Sequence, residues 1–194
     1  MTIVFISGSR RIRRLSGEVR ERLDRVIEKR LPVVIGDADG ADKAVQRYLD
    51  SRGYDLVEVF CAGEAPRNRV GHWPLRKIDP PHSTRDFDYY ASKDREMAEV
   101  ATVGLLLWDG ESQGTLMNAL RLVAQQKTAV VYVGPGREFV EIRSRGDFDK
   151  LAARLGGAAA RRLHDRAVQE GLFERDRPTV QSPGKGSPVT LSRR

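Results

Sequence analysis

Short apolar runs alternate with amphipathic stretches along most of the chain. The runs Thr2–Ser7, Pro32–Gly36, Asp55–Cys61, Thr102–Trp108 and Thr128–Val133 are β-branched and apolar, and predict buried strands. Between them, apolar residues recur at helical spacing over Ser16–Arg30, Ala41–Arg52, Arg85–Val100 and Gly114–Lys127. Ser16 stands where an N-cap belongs, and Gly53 ends the second helix. This alternation predicts an α/β fold: a Rossmann-like, doubly wound parallel sheet of about five strands with helices on both faces.

Three strand-to-helix loops share one construction. Val33–Ala44 reads VVIGDADGADKA, Leu105–Asn118 reads LLLWDGESQGTLMN, and the first strand runs into Gly8, Ser9 and Arg10. In a doubly wound sheet such loops gather at one edge, where backbone N–H groups and helix N-termini converge on a crevice suited to phosphate. The loops after the first, second and fourth strands therefore supply the candidate ligand-binding residues. These are Gly8, Ser9 and Arg10; Gly36, Asp37, Gly40 and Ala41; and Trp108, Gly110, Ser112, Gly114 and Thr115. Arg10, Arg11, Arg13 and Arg14 crowd the approach to the first helix, where the macrodipole disfavours cations. They form either a solvated face or a counter-charge for an anion, with Arg10 the best placed for phosphate. Trp108 either closes the core or flanks a base.

The stretch Ala62–Ser83 is predicted to be a long loop without secondary structure, and such loops are often functional. It is either a surface insertion anchored by Trp73 or a lid, with Arg67, Asn68 and Trp73 reaching a ligand. Past Val133, Phe139–Ser144 suits a short edge strand, and Asp147–Leu155 and Ala158–Leu172 read as helices, the second surface-lying. The expected division is a nucleotide-binding domain over 1–155, a helical extension over 156–175, and a disordered basic tail over 176–194.

Composition narrows the function classes. Net charge is +7, but the chain from Leu151 onward carries nine Lys/Arg against four Asp/Glu. The basic excess thus belongs mostly to the C-terminal part, and the core does not read as a dedicated nucleic-acid surface. A single cysteine, Cys61, excludes a disulfide framework and a cysteine-rich zinc site, and the three histidines share no ligand-like spacing. No run approaches the 18 apolar residues of a membrane span, so a soluble, cytoplasmic protein is expected.

GDADGAD, the K-D-x-x-M run at Lys93–Met97, and WDGESQGT occur in an order that resembles the SLOG superfamily of Rossmann-like nucleotide-binding proteins, its YspA-like branch in particular. The resemblance covers about Thr2 to Val133. That superfamily also holds the LOG-type phosphoribohydrolases, the DNA-processing protein of natural transformation, and sensor domains for nucleotide-derived signals. The resemblance implies a nucleotide-like ligand. The hydrolase branch has a catalytic Arg in R-K-x-x-M and a catalytic Glu in P-G-G-x-G-T-x-x-E. At the matching positions this chain has Lys93, followed by Asp94, and Asn118. Asn offers no carboxylate base, so that catalytic pair is absent. Lys93 and Asn118 become candidate ligand contacts instead.

Other carboxylates remain as candidate catalytic groups: Asp42, Asp94 and Glu111. Two in one crevice could hold a ribose diol, bind Mg²⁺, or act as an acid/base pair. The favoured function is therefore binding or sensing of a nucleotide or nucleotide-derived small molecule. A hydrolase of N-glycosidic or phosphoester bonds and a single-stranded nucleic-acid binder are the alternatives. Expected partners follow: a nucleotide-like small molecule first, nucleic acid second, self-association left open, and no membrane. No resident cofactor or metal is read from the sequence beyond Mg²⁺ with such a ligand.

Overall fold

The computed structural model describes residues 1–173, so the predicted tail over 176–194 lies outside the described residues. The elements run β1 (Val4–Gly8), α1 (Gly17–Glu28), β2 (Val33–Gly36), α2 (Ala41–Ser51), β3 (Val57–Ala62), β4 (Leu75–Ile78) and α3 (Phe87–Val100). They continue with β5 (Val103–Trp108), α4 (Gln113–Ala124), β6 (Thr128–Val133), β7 (Glu138–Ile142), α5 (Arg145–Ala152) and α6 (Gly157–Gln169). All seven strands form one sheet in the order β4-β3-β2-β1-β5-β6-β7, parallel except for β7.

The period-2 pattern of each strand sorts its side chains between two cores. Val4, Ile6, Val33, Ile35, Leu105 and Leu107 face α1 and α2, against Val19, Leu23, Val45 and Leu49. Phe5, Val34, Phe60, Leu106 and Trp108 face the other way, against Met97, Leu116, Leu120, Phe148, Leu151 and Leu163. Strands buried on both faces must be apolar at every position, which is why β1, β2 and β5 read as continuous runs.

The sheet has seven strands, not the expected five. The two additional strands, β4 and β7, are the edge strands, and their sequences lack a continuous apolar run. β7 lies within two residues of the predicted edge strand and pairs antiparallel with β6. β4 falls inside the stretch Ala62–Ser83, correcting the expectation of a long structureless loop. Its sequence is only LRKI, with Arg76 and Lys77 exposed, and charges of this kind blunt a sheet edge. What holds it is the backbone ladder to β3, Arg76 bidentate to Glu58 at 3.0 and 3.2 Å, and the Arg76 guanidinium over the Phe60 ring.

Close approaches fix the β1 end of the sheet. A methyl group on Gly8 would lie 2.5 Å from the Leu107 carbonyl and 2.7 Å from Ala41 Cβ, so only glycine lets β1, β5 and α2 meet there. Gly40 combines φ of +79° with the same crowding against the Arg10 backbone.

α6 is not the surface-lying helix its Ala/Arg-rich sequence suggested. Leu163 and Ala167 are buried in the same core as α3, α4 and α5. Leu163→Ala should therefore cost about 2–5 kcal/mol in urea unfolding, the range for core truncation. A loss under about 0.5 kcal/mol, the range for surface sites, would return α6 to the surface.

Candidate ligand crevice

The order of strands reverses between β1 and β5: from β1 the chain winds outward to β4, then returns to start again at β5. Loops leaving the two strands diverge there and open a crevice beyond their carboxyl ends. Its volume is about 1020 Å³. Ser7 to Arg11 from the end of β1 onward, Ala38 and Asp42 after β2, and Asp109 to Thr115 with Asn118 after β5 line it. Tyr90, Lys93 and Asp94 from α3 form a further wall.

The two diverging loops are laced together. Asp109 takes Ser9 Oγ–H at 2.7 Å on one oxygen and the N–H groups of Glu111 and Ser112 at 3.1 and 2.8 Å on the other. Burial alone would raise the Asp109 carboxyl, yet these donors hold it below the usual carboxylate range. Ser112 is the N-cap of α4, and its hydroxyl accepts from Thr115 N–H. The Gln113 and Gly114 N–H groups have no acceptor within the helix. The position above Gly114 is open: a Cβ there would meet nothing within 4 Å. The phosphate cradle expected after the fourth predicted strand is thus a capped helix start with room above it.

Beneath the crevice lies a buried polar network. Lys93 and Asp94 pair at 2.5 Å, with the Lys93 residue 3% exposed. Asn118 donates to Ser7 Oγ at 2.9 Å and Asp94 Oδ2 at 3.3 Å, and accepts from Arg121. Arg121 then pairs with Glu170 at 2.6 Å. Both amide hydrogens of Asn118 are engaged, so it orients the floor. Burial alone would lower the Lys93 ammonium, but Asp94, Asp42 and Asp37 hold it above its ordinary range. Burial opposes ionisation of Asp94 too, and Lys93 and Arg121 more than offset it. Asp42 is different. It is 2% exposed, burial drives its carboxyl up, and Lys93 only partly opposes that, leaving it at about 7.

Three buried side-chain oxygens lack a hydrogen-bond partner among the described residues, and two of them, Asp42 Oδ1 and Gln113 Oε1, belong to residues lining this crevice.

Several candidates support the crevice without lining it. Gly36 lies behind Asp42 and Lys93, and Gly40 and Ala41 pack against the β1 loop. Asp37 is engaged by Arg67 through its backbone N–H at 2.9 Å and its guanidinium at 2.6 and 3.2 Å. Asn68 donates to the Asp37 carbonyl and to Asp39. Of the expected lid, only Arg67 lines the crevice, its guanidinium 4.2 Å from the centre of the Tyr90 ring. Trp73 takes the anchor alternative and not the lid one: it is buried against the α1/α2 core and donates its indole N–H to the Tyr54 carbonyl at 2.8 Å. Of the two readings of Trp108, the structure takes core closure, the ring being fully buried with its N–H on the Ser112 carbonyl. Large apolar rings at loop mouths satisfy burial more readily than exposure. Glu111 sits on the exposed rim, paired with Arg11. Arg13 and Arg14 point to a separate, smaller hollow, which leaves Arg10 and Arg11 at the crevice.

Sequence reasoning missed the outer wall. Arg85 ahead of α3, and Arg162 and Arg166 on α6, line the crevice. With Arg10 they form no ion pair with a carboxylate among the described residues. Arg166 on a helix that looked peripheral carried no signal in a linear pattern. Among the described residues no group of three or more His, Cys, Asp or Glu is placed to hold a metal ion. No described helix is long and apolar enough to cross a membrane.

Fold and site together define a doubly wound α/β protein with a cation-rimmed crevice at its switch point. No protein-family model matches the chain, and no curated protein sequence does. Among solved structures it is similar to DNA processing protein A from Helicobacter pylori, described for its single-stranded DNA binding mode. Identity is 11%, the alignment covers 89% of this chain and 74% of that one, and the TM-score is 0.48.

The raised Asp42 carboxyl gives a stability signature. Its folded value of about 7 lies above the ordinary 3.8, so the folded state binds the proton more tightly between those values. The charge penalty is absent at low pH, develops as pH rises through that window, and is complete above it. Asp42→Asn removes the penalty. Its melting temperature relative to the parent should therefore rise between pH 5 and pH 8, and a constant difference would show Asp42 ionised without cost.

Proposed function

We propose that this protein binds a nucleotide or nucleotide-derived small molecule in the switch-point crevice. One observation carries the reading: the α4 N-terminus opens onto empty space at the place where doubly wound sheets bind ligands, ringed by arginines with no carboxylate partner among the described residues. A helix start and Arg10 favour a phosphate, and a crevice of this size has room for the nucleoside attached to it. The order of motifs resembling the SLOG superfamily, its YspA-like branch in particular, supports the same assignment.

The test is thermal shift with adenosine and guanosine, each as nucleoside, monophosphate and diphosphate. Ligand at ~100 times its dissociation constant adds about 2.7 kcal/mol. Stabilisation should require the phosphate. Gly114→Val should unfold like the parent, because its side chain meets only open space, yet lose most of the shift by occupying the phosphate position. Arg10→Ala should weaken a nucleotide by about 1.5–3 kcal/mol and leave nucleoside binding unaffected. Undiminished nucleotide binding by both variants would move the phosphate away from this loop.

A further inference from the structure

The chemistry of the crevice floor is more specific than a phosphate site requires. Asp42 Oδ2 accepts the Ala38 N–H at 3.1 Å, while Oδ1 has no partner among the described residues. Lys93 Nζ has one acceptor among the described residues, Asp94 Oδ1, which leaves two of its three hydrogens undirected. The two heads are neighbours: a methyl on Gly36 would lie 2.5 Å from Asp42 Oδ2 and 2.6 Å from Lys93 Nζ. Both residues line the crevice, and both are nearly inaccessible to solvent. An orphaned acceptor beside a donor with unused hydrogens is costly to keep buried unless a ligand completes it.

The missing group must donate to one head and accept from the other. A hydroxyl does both through a single atom, and a vicinal pair of hydroxyls can meet both heads at once. A base carbonyl would only accept, an exocyclic amine would only donate, and a phosphate would face the Asp42 carboxyl. We infer that Asp42 and Lys93 form a hydroxyl-reading subsite that holds the vicinal diol of a phosphorylated pentose, and so selects ribose over deoxyribose. The inference deepens the nucleotide-binding proposal and rests on it for the location of the phosphate. Asp42 and Lys93 act here as specificity residues.

Asp42→Asn is a sharp probe of this arrangement. The Ala38 N–H needs an acceptor, so the asparagine oxygen takes the Oδ2 position and its NH₂ replaces Oδ1. The subsite then presents two donors and no acceptor. The experiment is calorimetric titration of parent and Asp42→Asn with four probes: adenosine 5′-monophosphate, its 2′-deoxy form, ribose 5-phosphate and 2-deoxyribose 5-phosphate. The parent should prefer each ribo form over its deoxy partner by about ten-fold or more, because a site built around a hydroxyl leaves groups unpaired without it. In Asp42→Asn the ribo/deoxy ratio should fall towards one, with affinity for the deoxy forms little changed. Equal binding of ribo and deoxy probes by the parent would overturn the inference while leaving the nucleotide reading intact. A ribo preference seen with the sugar phosphates alone would keep the inference and remove the base from the ligand. Binding of none of the four would overturn both. A preference that survives Asp42→Asn would place the selection elsewhere.

Discussion

The buried pairing of Lys93 with Asp94, extended through Asn118 and Arg121 to Glu170, is the constraint on which the crevice side of the molecule depends. Charges withdrawn from water in this way are stable only in one geometry, and removing one partner of a buried pair costs about 3–5 kcal/mol. α3, α4 and the C-terminal end of α6 therefore dock in a single relative register. Ser7, through its bond to Asn118, brings β1 into the same arrangement. An all-apolar interface would tolerate small slides of these helices; this one does not.

That rigidity explains how three loops with little regular structure present a shaped surface. Asp109 satisfies the turn after β5 and holds the β1 loop with its other oxygen. Arg67 and Asn68 fasten the far loop to the end of β2. The second clamp uses Asp37, a carboxylate the sequence had offered to a ligand. Among the described residues, what remains open is correspondingly small: the α4 N-terminus, four arginines without a carboxylate partner, Asp42 Oδ1 and two hydrogens of Lys93.

Much of the fold was legible because burial on both sheet faces demands apolar runs, and β1, β2, β3, β5 and β6 have them. The edge strands were harder. β4 is held by its ladder and by Arg76 on Glu58 and Phe60, none of which leaves a hydrophobic period. The glycine and serine loops were readable from turn chemistry, as the Ser112 cap shows. Which Asp would be engaged and which left bare was not readable, since it depends on partners 30 residues or more away, such as Arg67 on Asp37. Trp73 and Trp108 each left a packing reading and a ligand reading open. The pattern cannot say which side of a loop faces inward.

The crevice draws on the whole described chain: Ser7 leaves the first strand, and Arg162 and Arg166 stand on the last helix. During synthesis at 5–20 residues per second, the outer wall emerges on the order of ten seconds after the first strand. The β1–β2 half, with α1 and α2 packed on it, can form a local core well before then. A nascent chain would thus complete its sheet first and the arginine wall of its crevice last.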